Sequence, residues 1–420
     1  MKRIASIVLY IFFCSYASGQ QGGLPPMIYS DTKSINTLSL YSDFFFASNA
    51  ITNELAKTYF LNGFITDEMK DAVSKNLKDK NRLGGEFTTE IYFRHKPDSL
   101  FGIPELSWFI GFKNINHVSS TFTRDLFEVY FRGNKNYAGQ TAVLGEFNYL
   151  LLKYQQLQFG VSKVVKKKTS VFEGGAAVGF NIGQQLQIIH SPKTDLYTED
   201  IGEYIDINTS IETHNSDSLH KYLGALNGFG LSTDLFFKAE IKKEHFFSLK
   251  ISNLGFIRWN NNSTALKEDS SFHFEGVDVS NILNFSDTIK RTISIDSTQA
   301  QAFLTKRKYL YYTLVLPAKI EFSYMKAMTA AIRAGIGVNF MTNADYVPQV
   351  HVDGDYSWKN NFAAISFSYG GYAVFGAGVY YRHSFHHGYV AGIGSNYVNS
   401  LLDSSAATSE SIYVSIYRNF

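Results

Sequence analysis

The stretch "MTAAIRAGIGVNF", residues 328–340, decides how the rest of the chain is read. Met328, Ala330, Ile332, Ala334, Ile336, Val338 and Phe340 are all apolar, while Thr329, Ala331, Arg333, Gly335, Gly337 and Asn339 fall between them. Successive side chains of a strand point to opposite faces, so this segment has one continuous apolar face and one polar or empty face. The preceding "TLVLPAKIEFSY" alternates in the same way, with Leu314, Leu316, Ala318, Ile320, Phe322 and Tyr324 opposed to Val315, Lys319, Glu321 and Ser323. In "FAAISFSYGGYAVFGAGVYYRHS" two such strands flank Gly370 and Gly371, which suit a tight turn because glycine takes positive φ without cost. Further alternating runs lie at 86–95, 106–114, 171–182, 223–240 and 246–256, the last two joined by the short charged connection "IKKEH".

A β-sandwich shows the same period, so length and ends must choose between folds. These runs number about a dozen to sixteen and approach the roughly 9–11 residues that a tilted membrane strand needs. Several exceed usual sandwich strands. Tyr312, Tyr324, Phe340, Tyr369, Tyr381 and Phe420 stand at strand ends, where interfacial aromatic girdles belong. The chain ends on "SIYVSIYRNF", an alternating strand with no charged tail. A closed barrel pairs its last strand with its first, because an open edge cannot survive in hydrocarbon. These features predict an all-β, transmembrane antiparallel barrel.

The N-terminal "MKRIASIVLYIFFCSYASG" reads as a signal peptide over residues 1–19: Lys2 and Arg3, an apolar run to Phe13, and small residues Ala17 and Gly19 before Gln20. Phe13 argues against lipidation of Cys14, the sole cysteine. Of 39 basic residues the signal removes two, leaving 37 against 37 acidic, so charge points to no nucleic-acid partner. Aromatic residues make up 16% of the chain, with 36 Phe, 27 Tyr and only 7 Pro. An exported, cysteine-free, aromatic-rich chain without an 18-residue apolar run matches an outer-membrane barrel.

Residues 20–85 are expected to lie outside the wall as an N-terminal plug or periplasmic segment, and residues 86–420 to form the barrel. "TDEMKDAVSKNLKDK" (66–80) reads as a helix capped by Thr66, with Met69, Val73 and Leu77 as its apolar stripe. "TRDLFEVYFRGN" (123–134) reads as a second helix, capped by Thr123 and closed by Gly133-Asn134; such pieces are expected either to pack on a rim or to plug the lumen. Residues 191–220 suggest extended loops or a strand extension; 257–309 suggest a long polar loop with a short helix near "VSNILNF".

The blocks "FTRDLFEVYFRGNKNYAGQ", "SNLGFIRWNNNS", "FHFEGVDV" and "LPAKIEFSY" resemble signatures of a Bacteroidota family of uncharacterised outer-membrane barrels. That family is related to the long-chain fatty-acid outer-membrane transporters and to barrels of the type IX secretion system. The resemblance implies about 14 strands with an N-terminal, partly helical plug. One element departs from the pattern. Where such proteins carry Asn-Pro-Ala after the signal, this chain has Ser48-Asn49-Ala50.

Catalytic signatures are absent: no P-loop, Rossmann glycine set, HExxH or EF-hand loop appears. "GGAAVGFNIG" lies in an alternating strand without the Lys-Ser/Thr of a phosphate loop, and Gly175, Ala177 and Gly179 read as small lumen-facing positions. His383, His386 and His387 cluster in "RHSFHHGYV", but adjacent histidines in a turn face apart and no acid accompanies them. No enzyme, metal or cofactor is therefore expected. The expected function is permeation of small hydrophobic molecules, with Arg333, Lys319 and Arg382 as lumen cations able to meet a carboxylate. The competing role for these cations is pairing with Glu321 or other lumen acids. The alternative function is an accessory barrel in a secretion, gliding or assembly complex. Expected partners are outer-membrane lipid, the assembly machinery, reading Val414, Ile416 and Phe420 as its signal, and possible complex subunits.

Overall fold

A computed structural model describes residues 35–217, 224–275, 308–398, 400 and 405–420. The signal segment, the sequence around "VSNILNF" and residues 20–34 lie outside the described residues. Fourteen antiparallel strands close into a ring. They are β1 (Asn36–Ser48), β2 (Lys80–His95), β3 (Leu106–Thr123), β4 (Phe147–Lys167), β5 (Ser170–Thr198), β6 (Gly228–Ile241) and β7 (His245–Trp259). The ring continues with β8 (Lys319–Ala327), β9 (Ile332–Met341), β10 (Val347–Trp358), β11 (Asn361–Gly371), β12 (Phe375–Ser384), β13 (Tyr389–Ser395) and β14 (Ser409–Asn419). A short strand, Tyr312–Val315, leads into β8 along the same edge of β7. At the seam β14 pairs with β1, with Ile416 opposite Leu40 and Val414 opposite Ser42. Asn36 and Phe420 exchange two backbone hydrogen bonds of 2.8 and 3.0 Å there.

One rung of the ladder shows what covers the outside. Ile416, Leu40, Ile91, Phe112, Leu157, Phe180, Leu231, Phe256 and Val315 are successive cross-strand partners around more than half the ring. Each is between 39% and 56% exposed. On the other side Ile336, Val352 and Phe367 continue the apolar band. Such a belt is far beyond the patches a soluble surface tolerates, and it is what hydrocarbon requires of a barrel.

The two ends of the ring differ. Asn36 and Phe420 lie at one end, together with the connection 96–105 and the short turns 168–169, 242–244, 328–331, 359–360 and 385–388. In the 242–244 turn Lys242 and Lys243 adopt φ of 56° and 58°. We call this the turn end. Among the described residues, the opposite, loop end carries 49–79, 124–146, 199–217, 224–227, 260–275, 308–311, 396–398 and 405–408, with the shorter connections 342–346 and 372–374. There β5 runs on past the wall and pairs with Tyr204–Asn215, which in turn pairs with Thr264–Glu275, forming a projecting β arm. Part of the expected polar loop at 257–309 is thus strand.

Two other expectations change in detail. Residues 328–331 form a turn, with the Thr329 hydroxyl accepting from the amides of Ala331 and Ile332, so β9 begins at Ile332. The alternation of "TLVLPAKIEFSY" breaks. Val315 and Phe322 both face outward, while Leu316 and Ala318 are buried. The cause is a bulge in β7, where Ser252 and Asn253 oppose Asp234 alone and Asn253 takes φ 61°. The Asp234 carboxylate accepts from the Asn253 amide at 2.8 Å, fixing the bulge.

The segment 20–85 differs most. Asn36–Ser48 is a wall strand, and so are the residues from Lys80 onward. Between them lie α1 (Asn53–Phe60) and α2 (Asp67–Asn76), which pack with α3 (Arg124–Arg132). Adjacent residues reveal which face they cover. Phe45 points into the lumen and belongs to a cluster with Tyr372, whereas Phe46 points outward and packs with Leu55, Val73, Phe122 and Phe127. The helices therefore fold as a shelf against the outer face of the wall at the loop end, not as a plug. Phe45 makes both faces of β1 apolar there, which hid the strand's alternation.

Replacing Ile336 by Arg puts a charge on the lipid side of β9. Unfolding in urea from lipid vesicles is expected to show a loss of about 2–4 kcal/mol. A loss below about 0.5 kcal/mol, typical of a solvated surface position, contradicts the assignment of this face.

Candidate functional site

A barrel of this strand number is wider than the roughly eight-stranded kind whose interior side chains meet and fill it, so long side chains must span the lumen if it is to close. They do. Lys319 on β8 bonds Glu86 on β2, almost diametrically across the ring. The other Glu86 oxygen lies 3.1 Å from His117 Nδ1, and Thr88 donates to Glu86 at 3.1 Å. Beside this bridge, Lys113 Nζ reaches Asp234 at 2.7 Å, and Gln158 donates to the same carboxylate oxygen at 2.7 Å. Gln156 donates to Ser232 at 2.6 Å over Gly179, where a Cβ would come within 2.7 Å of that hydroxyl. The small inward position therefore makes room for the bond that crosses β5.

Towards the loop end an aromatic layer replaces the charged one. Tyr372 stacks on Phe45 with ring centroids 6.0 Å apart and meets Tyr346 edge-on at 5.2 Å. Its ring occupies the space that a Cβ on Gly84 would need. Arg82 holds the turn in place by donating to the carbonyls of Gly371 at 2.8 Å and Ala373 at 3.2 Å. Burial pushes the Tyr372 phenol well above its ordinary pKa, so it stays neutral.

At the turn end the side chains leave a cavity of about 370 Å³, lined by Phe246, Arg333, Phe362, Arg382 and Lys243. Arg333 lies over the Phe246 ring at 5.0 Å and Arg382 over Phe362 at 4.7 Å. Arg333 is also held by Asp355, with Nε–Oδ1 3.0 Å and Nη2–Oδ2 2.9 Å. Sequence reasoning put Arg333, Lys319 and Arg382 on the lumen side. The structure brings the two arginines together at this mouth and sets Lys319 apart, in the central bridge. Glu321 pairs with Lys250 at 3.5 Å rather than with any of the three.

Glu86, His117, Lys113 and Asp234 were missed. Alternation gives their face, but no sequence spacing says which distant strands will meet across a ring. The charged layer is also incompletely satisfied. Asp43 Oδ1, His117 Nε2 and Ser119 Oγ are buried without a hydrogen-bond partner among the described residues. Such polar space admits water or the polar group of a ligand. His383 bonds Asn361 at 2.8 Å, and no group of His, Cys, Asp and Glu among the described residues could hold a metal ion.

The model described as a family of unknown function, DUF5723, matches residues 26–391, and the chain belongs to that family. Among solved structures it is similar to the toluene transporter TodX of P. putida, at 8% identity and TM-score 0.42, over 93% of this chain and 91% of that one. It is similar to the toluene transporter TbuX of Ralstonia pickettii at 7% identity and TM-score 0.43, over 92% and 90%. A FadL homologue of Pseudomonas aeruginosa matches at 8% identity and TM-score 0.42, over 91% and 89%. No curated protein sequence matches the chain.

Replacing Glu86 by Gln leaves Lys319 without its counter-charge inside the ring. The variant is expected to lose about 3 kcal/mol of unfolding free energy in vesicles. Replacing both residues by Met is expected to cost less than the single change. Strictly additive losses in the cycle of Glu86→Met, Lys319→Met and the double change contradict a direct bridge.

Proposed function

We propose that this chain is a bacterial outer-membrane barrel that passes small, mainly apolar molecules bearing an acid group, and that its own side chains gate the lumen. One observation carries the reading: the barrier consists of side chains meeting across the ring, with no described backbone segment threaded through it. Rearranging the Glu86–Lys319 bridge and the Tyr372 turn opens a path without unfolding any wall strand. The mouth supports the choice of cargo. Guanidinium groups stacked on phenyl faces offer a carboxylate its counter-charge and a hydrocarbon its wall. A volume of about 370 Å³ fits a single small molecule. The short-turn end corresponds to the periplasmic side in barrels of this kind.

Hydrocarbon-tailed carboxylates and their uncharged alcohol analogues, presented to the protein in nanodiscs, test this. The carboxylates are expected to bind, and Arg382→Ala to weaken them about tenfold with little effect on the alcohols. In liposomes, the Glu86→Gln/Tyr372→Gly variant is expected to leak small solutes that the parent retains. Absence of both binding and leakage rejects the reading.

A second reading, an accessory barrel of a secretion, gliding or assembly complex, is favoured by the arm. Thr264–Glu275 is paired along its length with Tyr204–Asn215, but on its other edge only Thr264 and Ala265 are paired among the described residues. Such an edge can accept a strand from another protein. Recovery of a stoichiometric partner that is lost on deleting the arm would favour it over permeation.

A further inference from the structure

The shelf formed by α1, α2 and α3 has two faces. Its inner face is accounted for: Leu55, Val73, Leu77 and Phe127 pack on the outward side of the wall at Phe46 and Phe122. Its tip is not. Phe60 is 68% exposed, Leu61 81% and Phe64 85%, with Tyr59 and Tyr130 also exposed beside them. The two tyrosines are tied together, their hydroxyls 3.0 Å apart. The run "YFLNGFI" from Tyr59 to Ile65 contains no charge. Five uncovered apolar or aromatic side chains on one projection exceed the scattered exposure normal for a surface.

The height of the shelf identifies what covers that tip. Lys57 on α1 pairs with Glu410 on β14 at 2.5 Å. Glu410 is the outward residue immediately above Ile412, which opens the lipid-facing row Ile412, Val414 and Ile416. Helix α1 is thus fastened at the upper edge of the band already assigned to lipid, and its apolar tip continues that surface. Charge does not provide an alternative attraction, because residues 53–80 hold five acidic and five basic side chains. Aromatic rings with an apolar body and a polar edge favour the level where acyl chains give way to headgroups.

We infer that the shelf is an interfacial anchor, with Tyr59–Ile65 and Tyr130 seated in the bilayer leaflet at the loop end. The inference needs the barrel to be in a membrane but not to transport anything. Insertion is driven by apolar burial, so it is insensitive to salt and to anionic lipid.

The test uses the full chain with Cys14 replaced by Ser, in nanodiscs of zwitterionic phosphatidylcholine. An environment-sensitive fluorophore is attached at Phe64→Cys or, as control, at Lys75→Cys on the exposed side of α2. Both sites are exposed, so labelling does not disturb the core. A headgroup-level nitroxide lipid is expected to quench the Phe64 probe about threefold more than the Lys75 probe, with iodide showing the reverse order. Salt up to molar concentration is expected to leave this unchanged. Iodide access equal to that at Lys75 overturns the anchor. Protection from iodide without lipid quenching, or protection that appears only at high protein-to-lipid ratio, overturns it in favour of a protein partner or a second copy.

Discussion

Closure of the backbone ladder is the constraint on which the remaining structure depends. Hydrocarbon offers no hydrogen bonds, so every wall amide and carbonyl must find a partner within the sheet. Asn36 to Asn419 achieve this only because β14 returns to β1, with Leu40 against Ile416. Once the ring is closed, period two assigns every wall side chain to lipid or lumen. The apolar rung from Ile416 to Val315 follows from that assignment, as do the bulge at Asn253 and its Asp234 clamp, which re-phases β7 and β8.

The same closure sets the problem of the interior. A ring this wide leaves a space that short side chains cannot fill. The chain fills it with Lys, Glu, Gln, His and Tyr reaching from distant strands, and each charge taken from water must then meet its opposite. Lys319 with Glu86 and Lys113 with Asp234 meet that demand, while the unpartnered Asp43 and His117 atoms leave the layer short of full satisfaction. The three helices contribute nothing to this layer, since Phe46 and Phe122 hold them on the outer side of the rim.

The sequence reveals what depends on local pattern. Val338 and Phe340 outward with Asn339 inward, the Thr66 and Thr123 caps, and the Gly370-Gly371 turn were all legible, because each rests on neighbours a few residues apart. Strand β1 was not, since Phe44, Phe45 and Phe46 erase its alternation where Phe45 must meet Tyr372 and Phe46 must meet the shelf. Helix α1 escaped for lack of a stripe. Arg333 and Arg382 were readable as lumen residues, but their convergence over Phe246 and Phe362 was not, because strands β7, β9, β11 and β12 meet there only through ring geometry.

Seam formation in a bilayer is tested most directly by a disulfide between directly opposed seam positions. In a Cys14→Ser background carrying Ser42→Cys and Val414→Cys, mild oxidation of the protein in lipid vesicles is predicted to link residues 42 and 414 within one molecule. Failure to form that link, or links only between molecules, would contradict a ring closed by its first and last strands.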